Sequence, residues 1–167
     1  SRTLWEEVDY LAEADNAERF AAMFADDRAV RIPRVFAERT TRRVLTLEDV
    51  YYIKVTEYAA IESAGVPLPQ VARRLFQTYL HQIFEVGFFH ADPHPGNLFV
   101  EPLEQGWRLV FVDFGMVGQL SSKNKQGLRD LAIAVATRDL DRLVNAYQTL
   151  GVLLPGADLE RIREAER

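Results

Sequence analysis

The pattern of apolar and polar positions over the first 50 residues predicts a helix followed by two short strands. Residues 3–24 contain neither Pro nor Gly, and their apolar residues form a partial stripe with the 3.6-residue helical period. Pro33 then breaks any helix. Apolar and β-branched residues at 35–36 and 44–47 predict two strands joined by a turn near 38–42.

The middle of the chain predicts a connector with a short helical piece and then one long helix. Gly65 and Pro67 mark the boundary, and Pro69 suits the first turn of a helix that Gly87 ends. Because apolar residues cover more than one face of this helix, we expect it to be buried on most sides. These residues are Val71, Leu75, Phe76, Tyr79, Leu80, Ile83, Phe84 and Val86.

The remaining pattern predicts a strand hairpin and two helices. The segments "NLFV" and "WRLVFVDF" read as strands joined by "EPLEQG". Ser121 or Ser122 can cap a helix to about residue 136, and Asp139 can cap another that Gly151 ends. The predicted fold class is therefore α+β with helices dominant.

Composition narrows the classes of function without identifying one. The 167 residues carry a net charge of −5 and no basic cluster, so nucleic acid is not an expected partner. The absence of cysteine excludes disulfides, thiolate zinc sites and cysteine nucleophiles. No run of 18 apolar residues is present, and no membrane span is predicted within this sequence.

The stretch "HADPHPGN" concentrates polar, turn-forming residues between apolar runs. His90, Asp92 and His94 alternate, which on a strand would place three metal ligands on one face. Pro93 and Pro95 flank His94, however, and proline is rare inside paired strands. The stretch is therefore predicted to be a loop, and a three-ligand zinc site is disfavoured.

The same stretch fits the spacing H-x-D-x-x-x-x-N of a protein-kinase catalytic loop, with His90, Asp92 and Asn97 at the defined positions. Asp113-Phe114-Gly115 follows after an apolar strand and matches the D-F-G motif. An amide oxygen, a carboxylate and phosphate oxygens are ligands that Mg²⁺ accepts, so Asn97 and Asp113 are candidate metal ligands. The alternative is a capped turn in which these side chains only satisfy backbone groups.

The combined motifs resemble the UbiB/AarF family of atypical, protein-kinase-like proteins. "FFHADPHPGNLFV" and "VDFGMVGQL" resemble its catalytic loop and D-F-G segment. The first helix resembles the family's E-x-D helix, with Glu7 and Asp9 as the acids and residues 13–16 as E-A-x-N. The resemblance implies a kinase-like fold. Residues 1–48 would be part of the N-terminal lobe, and residues 49–167 the C-terminal lobe, truncated at both ends.

The resemblance also implies a role for each matching residue. Asp92 would be the catalytic-loop aspartate, and His90 would hold that loop together. Glu13 would pair with a nucleotide-orienting lysine, with Glu7 and Asp9 near the nucleotide. The segment "VLTLEDV" would be the hinge strand, with the backbone of Glu48 and Val50 facing the adenine. His94 has no such counterpart and is read as a loop-packing residue.

The implied function is Mg-ATP binding with phosphoryl transfer or ATP hydrolysis, in isoprenoid-quinone or related lipid metabolism. The implied location is the bacterial cytoplasm, peripheral to a membrane, with lipid or quinone-pathway partners. The family's alanine-rich loop, strand lysine and K-x-G-Q motif do not occur in this sequence. We therefore expect a piece of a longer protein that is inactive alone.

Two other interpretations stay open at this point. Small-molecule phosphotransferases of the aminoglycoside/choline-kinase type also carry a loop resembling H-x-D-x-H-P-x-N, although the E-x-D helix disfavours them. A non-catalytic pseudokinase scaffold is the second alternative. The intact Asp92, Asn97 and Asp113 argue against it, because nothing structural requires all three.

Overall fold

The computed structural model describes residues 9–50 and 52–153. These residues form two compact units. The first contains residues 9–79 together with His90–Gly118, and the second contains Leu80–Phe89 together with residues 119–153. Both sides of the predicted lobe boundary between residues 48 and 49 lie within the first unit, and that boundary stays a prediction.

The first helix, α1, spans Tyr10–Met23 and confirms the described part of the predicted helix. Its first turn is capped by Asp9, whose carboxylate accepts a hydrogen bond from the Leu11 N–H. The buried face consists of Ala14, Ala17 and Phe20, which recur at the helical spacing. Residues 3–8 of the predicted helix lie outside the described residues.

Short strands form two sheets. Their bounds are β1 (Val30–Arg31), β2 (Ile53–Lys54), β3 (Phe88–His90), β4 (Leu98–Pro102), β5 (Trp107–Phe111) and β6 (Val117–Gln119). One sheet has the order β1-β5-β4-β2, and the other pairs β3 with β6. The predicted hairpin is confirmed, because β4 and β5 pair antiparallel with Leu98 opposite Phe111.

The interior of the four-stranded sheet is strongly apolar. Val100, Leu109, Val110 and Phe111 are fully buried, so both faces of the hairpin are covered. The pairing of β1 with β5 is parallel, with Val30 opposite Leu109, and the sequence pattern did not predict it.

The two strands predicted at 35–36 and 44–47 are reduced to isolated bridges. Val35 pairs with Leu47 and Thr41 with Val44, both antiparallel. A single 3-10 turn, Ala37–Arg39, lies between them. The predicted pairing is therefore confirmed at single residue pairs, but regular strands are not formed there.

The helices of the middle region follow the predicted boundaries. Helix α2 spans Tyr58–Ser63 and α3 spans Leu68–Leu80, and a π-helical turn, His81–Val86, ends at Gly87 with φ 81°. The expectation of burial on most sides is wrong, because Phe76 is 65% exposed. Polar residues supply part of the buried face instead.

The second unit contains a helical hairpin of α4 (Ser122–Thr137) and α5 (Leu140–Leu150). The predicted caps are confirmed, because Ser121 accepts from the Asn124 N–H and Asp139 accepts from the Arg142 N–H. Lys125 on α4 donates to the Glu85 carbonyl of the π-helical turn over 3.0 Å, which satisfies a carbonyl at a helix C-terminus.

In the part of the chain that the structure describes, no helix is both long and apolar enough to cross a lipid bilayer.

Candidate functional site

The predicted catalytic loop is a loop in the structure, with a 3-10 turn at Pro95–Asn97 between β3 and β4. The exposed His94 caps this turn, because its Nδ1 accepts a hydrogen bond from the Gly96 N–H over 3.0 Å. The Asn97 N–H donates to the His94 carbonyl. The residues of "HPGN" therefore shape the turn that presents Asn97.

Two polar side chains of this loop lie together. Asn97 Nδ2 donates to Asp92 Oδ2 over 3.3 Å, and both residues are half-buried. The Val112 N–H donates to the Asn97 carbonyl over 3.0 Å, which ties the loop to the residue before Asp113. This bond holds the loop that carries Asp92 and Asn97 next to the backbone that carries Asp113.

Asp113 has the left-handed backbone conformation, with φ 63°. Aspartate adopts left-handed backbone more readily than most residues do, but this conformation is still higher in energy than ordinary backbone. The Asp113 carbonyl accepts a hydrogen bond from His90 Nε2 over 2.6 Å, and Oδ1 accepts from the Gly115 N–H over 3.2 Å. His90 is 1% exposed, so it acts here as a buried support for the D-F-G segment.

Phe114 is fully buried and is held by ring packing. Its ring centroid lies 5.1 Å from that of Phe20 and 5.7 Å from that of His90. Aromatic pairs at these separations are favourable beyond their buried area. The middle residue of the D-F-G motif therefore anchors the segment in the core of the first unit.

Helix α1 holds the backbone of Phe114 on both sides. The Phe114 N–H donates to Glu13 Oε1 over 3.1 Å, and Asn16 Nδ2 donates to the Phe114 carbonyl over 3.0 Å. Glu13 and Asn16 are three residues apart and share a helix face. The sequence analysis placed both residues in the E-A-x-N motif but gave Asn16 no role of its own.

The electrostatics of Glu13 reflect this partly buried position. Burial raises the pKa of the Glu13 carboxyl above its usual range, the hydrogen bond from Phe114 opposes the shift, and the negative charge of Asp113 adds to it. Carboxyl groups with a raised pKa are common at functional sites.

Tyr79 of α3 is a further titratable group near the loop. Burial, and then the charge of Asp92, raises the pKa of the Tyr79 hydroxyl to about 12. Among the described residues, this buried hydroxyl has no hydrogen-bond partner. The sequence placed Tyr79 only on an apolar helix face, and no motif signalled its polar end.

The other predicted nucleotide-site residues have different surroundings. Glu7 lies outside the described residues. Asp9 caps α1, and its Oδ2 lies 3.9 Å from the Arg42 guanidinium. The Glu48 N–H donates to the Arg34 carbonyl over 2.8 Å. The half-buried Val50 and the other contacts predicted for a nucleotide stay predictions.

A network of ion pairs, which the sequence analysis did not predict, joins the predicted hinge segment to the sheet. Arg31 bridges Glu48 over 2.6 Å and Glu101 over 2.7 Å, and its guanidinium also contacts the Tyr52 hydroxyl. Arg108 forms a second, two-pronged pair with Glu101. Only the opposite charges of Glu101 and Arg108, one in each strand of the hairpin, could have signalled this network, and that signal is weak.

The donor set fits magnesium better than a transition metal. In the described residues, no group of three His, Cys, Asp or Glu side chains is placed to hold an ion. Asn97 directs its amide nitrogen at Asp92, which leaves its Oδ1 as an oxygen donor. The exposed Asp113 carboxylate is a second hard oxygen donor, and donors of this kind suit an ion that keeps several waters.

Comparison with known proteins identifies relatives along almost the whole chain. The chain is 42% identical over 160 residues to Protein ACTIVITY OF BC1 COMPLEX KINASE 8, chloroplastic, of Arabidopsis thaliana, covering 96% of the chain and 21% of that protein. It is 40% identical over 164 residues to the uncharacterized protein sll1770 of Synechocystis, covering 98% and 28%. The chain thus spans between a fifth and three tenths of the length of these relatives.

Among solved structures, the chain is similar to Rv3197 of Mycobacterium tuberculosis, determined as a complex with erythromycin. The TM-score is 0.63 at 23% identity, over 96% of this chain and 40% of that one, which shows a shared fold. Residues 1–147 match the ABC1 atypical kinase-like domain. The resemblance inferred from the motifs is confirmed, and the chain belongs to the ABC1/UbiB family of atypical kinase-like proteins.

Proposed function

We propose that the intact protein binds Mg-ATP and catalyses phosphoryl transfer or ATP hydrolysis, in isoprenoid-quinone or related lipid metabolism. One observation carries the proposal: helix α1 and the catalytic-loop histidine together hold the D-F-G segment, on which Asp113 stays exposed. A segment with only a structural purpose does not need an exposed carboxylate on a left-handed residue.

Asp92 is the proposed proton acceptor. It is half-buried, its Oδ2 accepts from Asn97 Nδ2, and no cation of the described residues pairs with it. A carboxylate in that state can orient an acceptor hydroxyl or a water molecule and take its proton. Asn97 thereby has two functions, since its nitrogen orients Asp92 while its oxygen is available to a metal ion.

Asn97 Oδ1 and the Asp113 carboxylate are the proposed holders of Mg²⁺. The ion would supply positive charge there that offsets the negative charge of phosphate oxygens. Two side chains hold the backbone of Asp113 in place. His90 donates to the Asp113 carbonyl, and Glu13 accepts from the N–H of the next residue. Glu13 would in addition pair with a lysine supplied by the rest of the protein.

The proposed metabolic context and cellular location rest on the family alone. Several relatives from Arabidopsis thaliana carry the name ACTIVITY OF BC1 COMPLEX KINASE and are chloroplastic. By analogy, the proposed protein acts at a membrane surface with partners in quinone or lipid metabolism. Because the chain spans less than a third of those relatives, these properties belong to the whole protein.

Two substitutions in the full-length protein test the proposal. Asp113→Asn is expected to weaken Mg-dependent ATP binding by about tenfold or more, because it removes the charged metal ligand. Asparagine tolerates left-handed backbone, so the fold should be preserved. Asp92→Asn is expected to lower turnover by about a hundredfold or more with little change in nucleotide affinity.

Calorimetric titration of Mg-ATP and a steady-state assay of ADP release measure these two effects. Asp26→Asn is the matched control, because it neutralises a carboxylate exposed in the turn after α1. If wild type and Asp113→Asn bound nucleotide alike, the metal-ligand role of Asp113 would be refuted and the scaffold interpretation favoured. Unchanged turnover in Asp92→Asn would refute the role given to that residue.

A further inference from the structure

The first unit contains a cavity that none of the described predicted site residues lines. It has a volume of about 330 Å³, and α3 contributes Gln70, Arg73, Arg74 and Gln77. Trp107 and Gly106 line it from the start of β5 and the hairpin turn before it. We call it the Trp107 cavity. Its volume is at the lower end of the range for small-molecule sites.

The four α3 residues form one polar stripe on the helix. Residues 70, 73, 74 and 77 recur at the spacing of a single helical face, so their side chains converge on the same space. The two glutamine amides offer both donors and acceptors, and the two guanidinium groups offer only donors. The stripe is therefore richer in donors than in acceptors.

The charge of the cavity is positive, although the chain as a whole carries −5. None of the lining residues is acidic. Arg74 Nη1 lies 3.4 Å from Asp27 Oδ2, which is longer than a normal charged hydrogen bond, and both side chains are at least one-third exposed. No carboxylate of the described residues pairs with Arg73. Arg73 is thus available to an anion, and Arg74 can share one while it stays paired with Asp27.

Trp107 gives the cavity a fixed aromatic wall. Its side chain packs against the buried cluster of Ile61, Val66, Val71 and Val100. The residue is nevertheless only half-buried and contributes to the cavity lining. An indole held in place by core contacts can stack on a flat ring without losing much side-chain freedom.

We propose that the Trp107 cavity binds small organic anions that carry a phosphate or carboxylate on a flat ring. Arg73 and Arg74 hold the anionic group, and the indole of Trp107 stacks on the ring. Gln70 and Gln77 bond polar substituents at the ring edge. This site is separate from the proposed nucleotide site, and the inference does not depend on the proposed activity.

Titration of the full-length protein with phenyl phosphate tests the proposal, with inorganic phosphate and phenol as the two halves of the probe. Ligand-observed NMR or calorimetry gives the dissociation constants. Phenyl phosphate is expected to bind saturably and about tenfold more tightly than either half. Arg73→Gln is expected to weaken phenyl phosphate by about tenfold, because a charge-assisted contact is lost.

The matched control is Arg43→Gln, which removes another exposed arginine far from α3 in sequence and should leave the affinity unchanged. Trp107→Leu keeps an apolar residue against the core and should reduce the advantage of phenyl phosphate over inorganic phosphate. Absence of saturable binding below about 10 mM, the weak limit for a specific site, would overturn the proposal. Equal affinity in wild type and Arg73→Gln, or equal affinity for phenyl phosphate and inorganic phosphate, would also overturn it.

Discussion

The side-chain amide of Asn16 donates a hydrogen bond to the carbonyl of Phe114 over 3.0 Å, between residues 98 positions apart in sequence. Glu13, one helical turn earlier, accepts from the N–H of the same Phe114. Two side chains of one helix thus satisfy both polar groups of a fully buried residue. These two bonds fix the D-F-G segment to α1.

Asn16→Ala is expected to destabilise the protein by about 1 kcal/mol, because the carbonyl of a buried residue loses its donor. Alanine also has a better helix propensity than asparagine, which offsets part of this loss. Asp15→Ala on the exposed side of the same helix carries a similar propensity gain and serves as the control. Urea denaturation should rank Asn16→Ala below Asp15→Ala, and the reverse order would mean that the bond contributes nothing.

Glu13 should make stability depend on pH in a defined direction. Its pKa in the folded state is raised above the usual 4.5, so the folded state binds its proton more tightly than the unfolded state does. This contribution is fully present below about pH 4.5 and is lost as the pH rises through the folded-state pKa. The free energy of unfolding of wild type should therefore fall relative to that of Glu13→Gln over this interval.

Thermal unfolding of both proteins between acidic and neutral pH measures that difference. Glu18→Gln, which removes an exposed glutamate from the same helix, controls for the general effect of losing a negative charge. A wild type that gained stability relative to Glu13→Gln as the pH rose would contradict the assigned direction.

Tyr79→Phe should leave stability unchanged or raise it by about 1 kcal/mol, since a buried hydroxyl without a partner costs free energy. The hydroxyl has no hydrogen-bond partner among the described residues, and its pKa of about 12 reflects burial first and the Asp92 charge second. Denaturant unfolding gives the sign. A loss above about 1 kcal/mol would show that the hydroxyl makes a bond in solution.

Arg31→Met should be among the most destabilising single substitutions in the first unit. Glu101 is 7% exposed, and Arg31 is one of its two cationic partners. Loss of one partner of a buried carboxylate is expected to cost about 2 kcal/mol or more, although Arg108 stays paired with it. Arg34→Met is the control, because the side chain of that exposed arginine stacks on Phe36 and only its backbone bonds to Glu48 of the network. Similar midpoints of denaturation for both variants would contradict this account.

Local signals made much of the structure predictable. The residues that set the helix ends act within a few positions of themselves. The side chains of Ser121 and Asp139 cap helix starts, and the backbone freedom of Gly87 and Gly151 lets helices end there. The hairpin of β4 and β5 follows from two apolar runs and one turn. The loop was predicted at 90–97 because proline is rare in paired strands, and it is found at 91–97, since His90 ends β3.

What the sequence could not show depends on distant partners. Val30 joins the sheet through a parallel pairing with Leu109, and no local pattern identifies a partner about 80 residues away. The bond from Asn16 to Phe114 has the same character. Exposure of Phe76 was misjudged because an apolar side chain on a helix predicts burial only when a neighbouring element covers it.

The left-handed conformation of Asp113 has a consequence for how ligand binding is divided from folding. A non-glycine residue at φ 63° lies about 1 kcal/mol above ordinary backbone. His90, Glu13 and Asn16 hold it there within the folded chain. The segment is therefore preorganised. The chain adopts the unfavourable backbone conformation of Asp113 once, during folding, and its cost does not lower the affinity for a ligand.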